Sequence, residues 1–383
     1  MQTDNNDNNQ PTAEQTEASN IPIPSPQELY NVLNQNVIGQ DAAKKRLSVA
    51  ISNHFKRIAL KYGSAKPLVG AAAESYISVD KSNMLVLGNT GTGKTYMIKT
   101  IAKALGIPCF VADMTKVTES GYVGDDVEAV LHGLLREAQY DLGMAQIGIC
   151  VLDEIDKIAR KSNENMSITR DVSGEGVQQS LLKMVEGGVV SIPPTGGRKH
   201  PHMECIPMDT TDILFIGLGA FDGMERIISR RLNKKTVGFN TGNKDKDKDK
   251  TDNLLSKVTG EDLRQFGFIP ELIGRFPVLI HTNPLTEDDM VRILTEPKDA
   301  IIKQYQALLG IDNIELTFSD DALRNIGQRA MAMSNGARSL RSIIENFMFD
   351  IMFENGGNTE YKSIHITADF LNEKLGPVPT KKS

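Results

Sequence analysis

The period of the hydrophobic positions changes along the chain, and the changes mark its parts. Residues 1–25 are polar, Asn-rich and Pro-punctuated. Such a stretch cannot bury enough apolar surface to offset its ordering entropy, so a disordered tail is predicted. From Pro26 the spacing becomes helical. It predicts a helix over 27–33 and another over 41–62, where Ala43, Leu47, Ala50, Ile51, His54 and Ile58 fall on one stripe. Val37-Ile38-Gly39-Gln40 reads as the turn between them, with Asp41 as N-cap. Over 84–220, short apolar runs at 84–87, 109–112, 149–152 and 213–216 alternate with amphipathic segments at 95–105, 127–140 and 176–186. Fully apolar strands separated by helices are the pattern of a parallel sheet covered on both faces, which is α/β architecture. From Thr286 the pattern is mostly helical, over 286–308, 320–333 and 337–353, with short strand candidates at 315–318 and 363–366. The expected organisation is therefore a tail (1–25), a large α/β domain (26–284) and a small, mostly helical domain (285–383). Within the large domain a flexible loop is expected at about 234–253, where Lys and Asp alternate strictly over 244–250.

Composition narrows the classes. The chain has 383 residues, 40% apolar and 24% charged, with a net charge of −6, 5% aromatics and no Trp. Neither a global basic field nor a stacking platform for bases is present, so no nucleic-acid partner is expected. Cys109, Cys150 and Cys205 are odd in number and far apart. They define neither a disulfide framework nor a zinc knuckle, and a reducing compartment is expected. The first basic residue is Lys44, and no apolar stretch approaches 18 residues. The expectation is a cytoplasmic chain with no membrane partner.

The chemistry starts at Gly88-Asn89-Thr90-Gly91-Thr92-Gly93-Lys94-Thr95, which fits GxxxxGK[ST] between a predicted strand and a predicted helix. Glycines let backbone N–H groups converge on phosphate oxygens, Lys94 reaches the outer phosphates, and the Thr95 hydroxyl binds Mg²⁺. ATP with Mg²⁺ is the expected cofactor. Downstream, Ile149-Cys150-Val151-Leu152-Asp153-Glu154 is an apolar strand ending in two acids. Asp153 is expected to hold the magnesium with Thr95, and Glu154 to polarise the attacking water. Phosphoryl transfer also needs cations at the transition state. Arg275, in Ile269-Pro270-Glu271-Leu272-Ile273-Gly274-Arg275-Phe276, and Arg338, in Gly336-Ala337-Arg338, are candidates. Read alone, each fits a surface or capping arginine better than a catalytic one.

Taken together, these motifs resemble the ClpX family of AAA+ unfoldases over residues 26–370. The resemblance also rests on Gly121-Tyr122-Val123-Gly124, the run Ser167 to Gln179, and Gly196-Gly197-Arg198-Lys199-His200-Pro201. It implies a homohexamer that binds ATP between subunits and threads tagged or unfolded proteins through a central pore. By that likeness Arg275 is the arginine finger acting in trans, and Arg338 the second sensor. Val37 and Ile38 pack on adenine, and Asn89, Thr90, Gly91, Thr92, Gly93, Lys94, Thr95, Tyr96 and Asp153 complete the nucleotide site. Tyr122 and Val123 form an aromatic-aliphatic pore grip, which without the likeness reads as a buried turn. Arg170 belongs to a second pore loop, and Arg198, Lys199 and His200 to a basic collar at the pore mouth. Val237-Gly238-Phe239 resembles the Ile-Gly-Phe tip that docks on a ClpP-type peptidase. The missing methylene amounts to roughly 0.8 kcal/mol of burial per site.

The family's four-cysteine zinc module has no counterpart in residues 1–25, which contain neither Cys nor His. That departure bears on adaptor recruitment, while ATP hydrolysis and threading are unaffected. A solitary remodelling chaperone remains the alternative. It keeps every ATPase residue and does not need Val237 to Phe239.

Overall fold

The computed structural model describes residues 23–63, 78–118, 126–160, 174–194, 204–234, 251–333, 335–357 and 360–379. Two helices open it, α1 (Pro26–Asn36) and α2 (Asp41–Lys61). Ser25 and Glu28 cap α1 reciprocally, and Pro26 holds its first position, where no intrahelical N–H is needed. The turn to α2 is left-handed at Gly39 (φ 62°) and Gln40 (φ 60°). Gln40, rather than Asp41, is therefore the residue preceding α2, and it makes no side-chain cap.

The α/β part runs β1 (Met84–Leu87), α3 (Lys94–Leu105), β2 (Cys109–Asp113), α4 (Ala129–Glu137), α5 (Leu142–Gln146), β3 (Ile149–Asp153), α6 (Glu175–Glu186), β4 (Val189–Ile192), β5 (Ile206–Asp209), β6 (Leu214–Gly219), α7 (Met224–Lys234), α8 (Gly260–Phe266), α9 (Pro270–Gly274) and β7 (Val278–His281). The main sheet has the order β2-β3-β6-β1-β7, and every pairing in it is parallel. Alternate residues of one strand serve opposite faces. Met84 and Val86 join Ile51, Phe55, Ile98 and Ile101 under α2 and α3. Leu85 and Leu87 join Leu131, Leu152, Leu181 and Phe215 under α4 and α6. Both faces are buried, which is why these strands read as continuous apolar runs.

The remainder comprises α10 (Glu287–Thr295), α11 (Ile301–Ile311), β8 (Ile314–Phe318), α12 (Asp320–Ala332), α13 (Arg338–Asn355), β9 (Lys362–Ile366) and α14 (Ala368–Leu375). It has its own core around Leu294, Leu309, Ile326, Ile344 and Phe347. The two strand candidates pair with each other in parallel.

Several expected boundaries move. The helix read over 127–140 is only Ala129–Glu137, because Gln139 (φ 55°) and Tyr140 (φ 65°) turn left-handed. The segment 286–308 is two helices, broken around Pro297, which lacks an N–H and crowds the preceding turn. The strand placed at 213–216 runs instead over Leu214–Gly219. The edge strand β7 and the antiparallel pair β4-β5 are additional. β7 carries only a short apolar run before Asn283-Pro284, too little for a periodic signal. No helix among the described residues is long and apolar enough to cross a membrane.

Below the sheet, α2 is tied to the turn before β6 by one buried carboxylate. Asp212 accepts from Arg57 Nη2 at 2.7 Å, Lys61 Nζ at 2.7 Å and the Tyr62 hydroxyl at 2.8 Å. Burial alone raises its pKa, but the bonds from Lys61 and Tyr62 and the charge of Arg57 outweigh that, and the carboxyl ends below its usual value. A depressed carboxyl pKa contributes stability above the unfolded value and loses it as pH falls through the folded one. Asp212→Ala, which leaves the buried Arg57 unpaired, is expected to destabilise the α/β part by about 3 kcal/mol at pH 7. In denaturant titrations the difference from wild type should shrink on acidification below about pH 4. A pH-independent difference under 0.5 kcal/mol would discard the hub.

Candidate nucleotide site

Everything chemical gathers at the carboxyl ends of the strands. After β1 the chain turns through Gly91 (φ 79°) and Gly93 (φ 89°) into the N-terminus of α3. Lys94, the first residue of α3, is buried, and its ammonium donates to the carbonyls of Gly88 and, at 2.9 Å, Asn89. Burial pulls its pKa down to about 8. The Asp153 and Asp156 carboxylates oppose that pull, and the Arg338 charge adds to it. Thr92 Oγ1 bonds Asn89 O at 2.9 Å and lies 2.8 Å from Thr282 Oγ1, which fastens the loop to the end of β7.

At the end of β3, Asp153 Oδ2 accepts from the Thr95 hydroxyl at 3.1 Å, and its other oxygen accepts the Glu154 N–H at 3.1 Å. Glu154 has φ 58°, an uncommon conformation for a non-glycine residue, and is exposed on the pocket wall. A further acid escaped the sequence reading. Asp156 is 6% exposed, accepts the Phe221 N–H at 3.3 Å and pairs with Lys157 at 3.2 Å. Its Oδ1 is buried with no partner among the described residues. The signal for it was Asp-Glu-Ile-Asp itself, since a single 3₁₀ turn over Ile155–Ile158 brings the second aspartate back to the pocket.

The opposite wall is apolar. Val37 and Ile38, both buried, line it with Leu285 and Ile293. Their turn is held by a two-point bond, in which Gln40 Nε2 donates to Asn283 O and the Asn283 N–H donates to Gln40 Oε1, each at 2.8 Å. Nothing in the local sequence announces that pairing, which spans 243 positions. Ala337 and Arg338 close the pocket from the start of α13. The Ala337 N–H donates to Gly91 O at 3.3 Å, and a Cβ on Gly91 would stand 2.2 Å from Asn335 O. Gly91 is therefore required by close approach as well as by its φ. Arg338 is exposed, with no hydrogen bond or ion pair among the described residues, at a helix N-terminus where a cation is disfavoured unless an anion joins it.

The pocket, partly open to solvent, has a volume of about 590 Å³, within the usual range for a small-ligand site. Its lining combines the apolar Val37, Ile38, Leu285 and Ile293 with Lys94 and the acids Asp153, Glu154, Asp156 and Asp222. Thr90, Gly91, Thr92, Gly93, Lys94, Thr95 and Tyr96 all line it, with Asp153, Glu154, Lys157 and Asp222. Asn89 contributes its carbonyl to Lys94 and Thr92 and is not on the wall. The site thus assembles Val37, Ile38, the phosphate loop, Asp153, Glu154 and Arg338. It does not include Arg275, which lies outside the pocket, exposed and paired with Glu186 at 2.8 Å. Tyr122, Val123, Arg170, Arg198, Lys199, His200, Val237, Gly238 and Phe239 lie outside the described residues.

Comparison with known proteins agrees with this geometry. Residues 79–279 match the AAA domain (Cdc48 subfamily), and residues 285–365 match the C-terminal, D2-small domain, of ClpB protein. The chain is 50% identical over 332 residues to the ATP-dependent Clp protease ATP-binding subunit ClpX of Treponema denticola, covering 87% of this chain and 77% of that one. It is 48% identical over 355 residues to the protein of the same name from Bacteroides thetaiotaomicron, covering 92% and 82%. With the Porphyromonas gingivalis protein, also so named, it shares 49% over 331 residues, covering 86% and 78%. Identity of this extent across both the phosphate-loop sheet and the helical remainder means that the chain belongs to the ClpX family of AAA proteins.

Proposed function

We propose that this chain is the ATPase subunit of an ATP-dependent protease, an unfoldase that threads tagged or unfolded proteins through a homohexameric ring into a ClpP-type peptidase. The observation that carries the reading is the pocket, where a phosphate loop, a strand-end Asp-Glu pair and an unpaired helix-start arginine from the second core meet around one cavity. A binding protein without turnover does not need Glu154 poised beside Asp153.

The residues present fit a magnesium nucleotide. Thr95 and Asp153 lie 3.1 Å apart, the spacing of two oxygens that can share a cation or its water, and Asp156 Oδ1 supplies a further unsatisfied oxygen. Magnesium, when bound, neutralises phosphate charge. The chain's own part is to seat adenine against Val37 and Ile38, hold the phosphates on the N–H groups of 90–95 and exchange the Lys94 carbonyl partners for phosphate oxygens. Glu154 then withdraws a proton from the attacking water. Arg338 is the sensor that changes partner when the nucleotide changes, and Arg275 reaches the site of the neighbouring subunit. Tyr122 and Val123 grip the cargo, Arg170 lines the channel, Arg198, Lys199 and His200 attract acidic tags, and Val237 to Phe239 dock on the peptidase.

Glu154→Gln is expected to keep ATP affinity within about twofold while lowering kcat by at least 10²-fold. Steady-state hydrolysis beside equilibrium binding of a fluorescent nucleotide checks this, and hydrolysis at wild-type rate would remove Glu154 from its role. The low Lys94 pKa sets a second expectation. The ammonium is charged below about pH 8 and neutral above it, so ATP affinity should weaken as pH rises from 7 to 9. Because bound phosphate favours the charged form, binding at pH 8.5 should take up protons. Calorimetry in buffers of different ionisation heat measures that uptake, and an affinity flat from pH 7 to 9 contradicts it. The function as a whole is tested by degradation of a tagged, stably folded reporter with a ClpP-type peptidase. Wild type should degrade it, Tyr122→Ala should neither unfold nor degrade it, and deletion of Val237 to Phe239 should unfold without degrading. Unfolding by wild type with no hand-over would instead identify a solitary chaperone.

A further inference from the structure

On the reading of Arg275 as a trans-acting arginine, we infer that Glu186 is its positioning residue and that α6 carries the connection from this subunit's own hydrolytic strand to it. α6 touches the Arg275 segment at both ends. At its start, Gln178 is fully buried and spends its amide on two segments at once. Its Nε2 donates to Ile158 O at 2.9 Å and Gly267 O at 3.1 Å, and its Oε1 accepts the Ile269 N–H at 2.8 Å. Ile158 closes the 3₁₀ turn that follows Glu154, and Ile269 is the N-cap of α9, whose C-cap is Arg275. The same two segments meet again where the Arg160 N–H donates to Gly267 O at 3.0 Å. There Gly267 (φ 122°) approaches so closely that a Cβ would stand 2.4 Å from Arg160 O.

At its other end, α6 finishes on Glu186, whose Oε1 accepts from Arg275 Nη2 at 2.8 Å and Nε at 3.2 Å. The Arg275 carbonyl is fixed separately by buried Asn83, one residue before β1, through Nδ2 at 2.9 Å. Backbone and guanidinium are therefore held by different elements, and only the guanidinium depends on Glu186.

The edge of the guanidinium that Glu186 occupies distinguishes positioning from competition. Nε and one Nη2 hydrogen face the carboxylate, so both Nη1 hydrogens and the remaining Nη2 hydrogen are left for another anion. A bidentate phosphate contact uses that free edge. An exposed ion pair is weak, so Glu186 orients Arg275 without trapping it.

The test mixes two inactive variants of the full chain. Glu154→Gln subunits cannot hydrolyse but present Arg275, and Arg275→Ala subunits have an intact site but nothing to present, so ATPase activity in the mixture arises only in trans. Adding Glu186→Ala to the Glu154→Gln subunit should lower the kcat of the mixture roughly tenfold, with KM for ATP within about twofold. Adding it to the Arg275→Ala subunit should change nothing. Glu186→Gln in the first position, which keeps an acceptor oxygen, should retain most of the rate. If the mixture without Glu186 changes is inactive, or Arg275→Ala alone turns over like wild type, the trans reading of Arg275 falls. If the mixture is active but Glu186→Ala has no effect, or the same effect in either subunit, Glu186 does not position Arg275.

Discussion

A parallel sheet points all its carboxyl ends one way, and in this chain that constraint decides where chemistry can occur. β1, β3, β6 and β7 deliver the phosphate loop, Asp153-Glu154, Gly219-Ala220 and Thr282 to a single edge. The edges of the turns are themselves bonded. The Thr282 N–H donates to Leu87 O at 2.8 Å, the Gly88 N–H to Gly219 O at 3.2 Å and the Met114 N–H to Asp153 O at 2.9 Å. A ligand there meets backbone that is already fixed, so little ordering is needed when it binds.

Charge is arranged differently on the two edges. At the pocket, Lys94 and Arg338 line the wall with Asp153, Glu154 and Asp156, and neither Asp156 Oδ1 nor the Arg338 guanidinium has a hydrogen-bond partner among the described residues. At the far edge the problem is an excess of basic groups around Asp212. Burial, with the nearby Arg57 charge, lowers His54 to about 3 and Lys81 to about 7, and the Lys81 ammonium donates to Thr210 O at 2.8 Å. Arg57 and Lys61 are the cations that pair with Asp212. At the far edge the Asp212 carboxylate is satisfied by Arg57, Lys61 and Tyr62, whereas at the pocket Asp156 Oδ1 has no partner among the described residues.

The pocket also joins the two cores, because α13 begins against Gly91 and Leu285 and Ile293 complete the apolar wall. Arg275 belongs to the opposite arrangement. It is fixed to the large core by Asn83 and Glu186 and does not line its own pocket. The large core thus holds Arg275 outside the pocket, while the start of α13 brings Arg338 onto its wall.

The sheet, its strand runs and most residues of the pocket wall were legible because each depends on local chemistry: apolar runs for buried strands, glycines for a left-handed loop, a strand ending in acids. The small strands at 314–318 and 362–366 were legible as candidates for the same reason. What the linear order concealed were features made by approach over long separations. Gln40 pairs with Asn283, Gln178 bridges Ile158 and Ile269, and Asp212 collects Arg57 and Lys61; each is a polar side chain whose partner lies tens to hundreds of residues away. Asp156 was hidden because a 3₁₀ turn, rather than an extended strand, follows Glu154. The motif alone therefore determined that phosphate chemistry belongs on this chain. Tertiary structure decided that Arg338 shares the pocket while Arg275 is held outside it, because only the packing of α6 and α13 sets which way each guanidinium can reach.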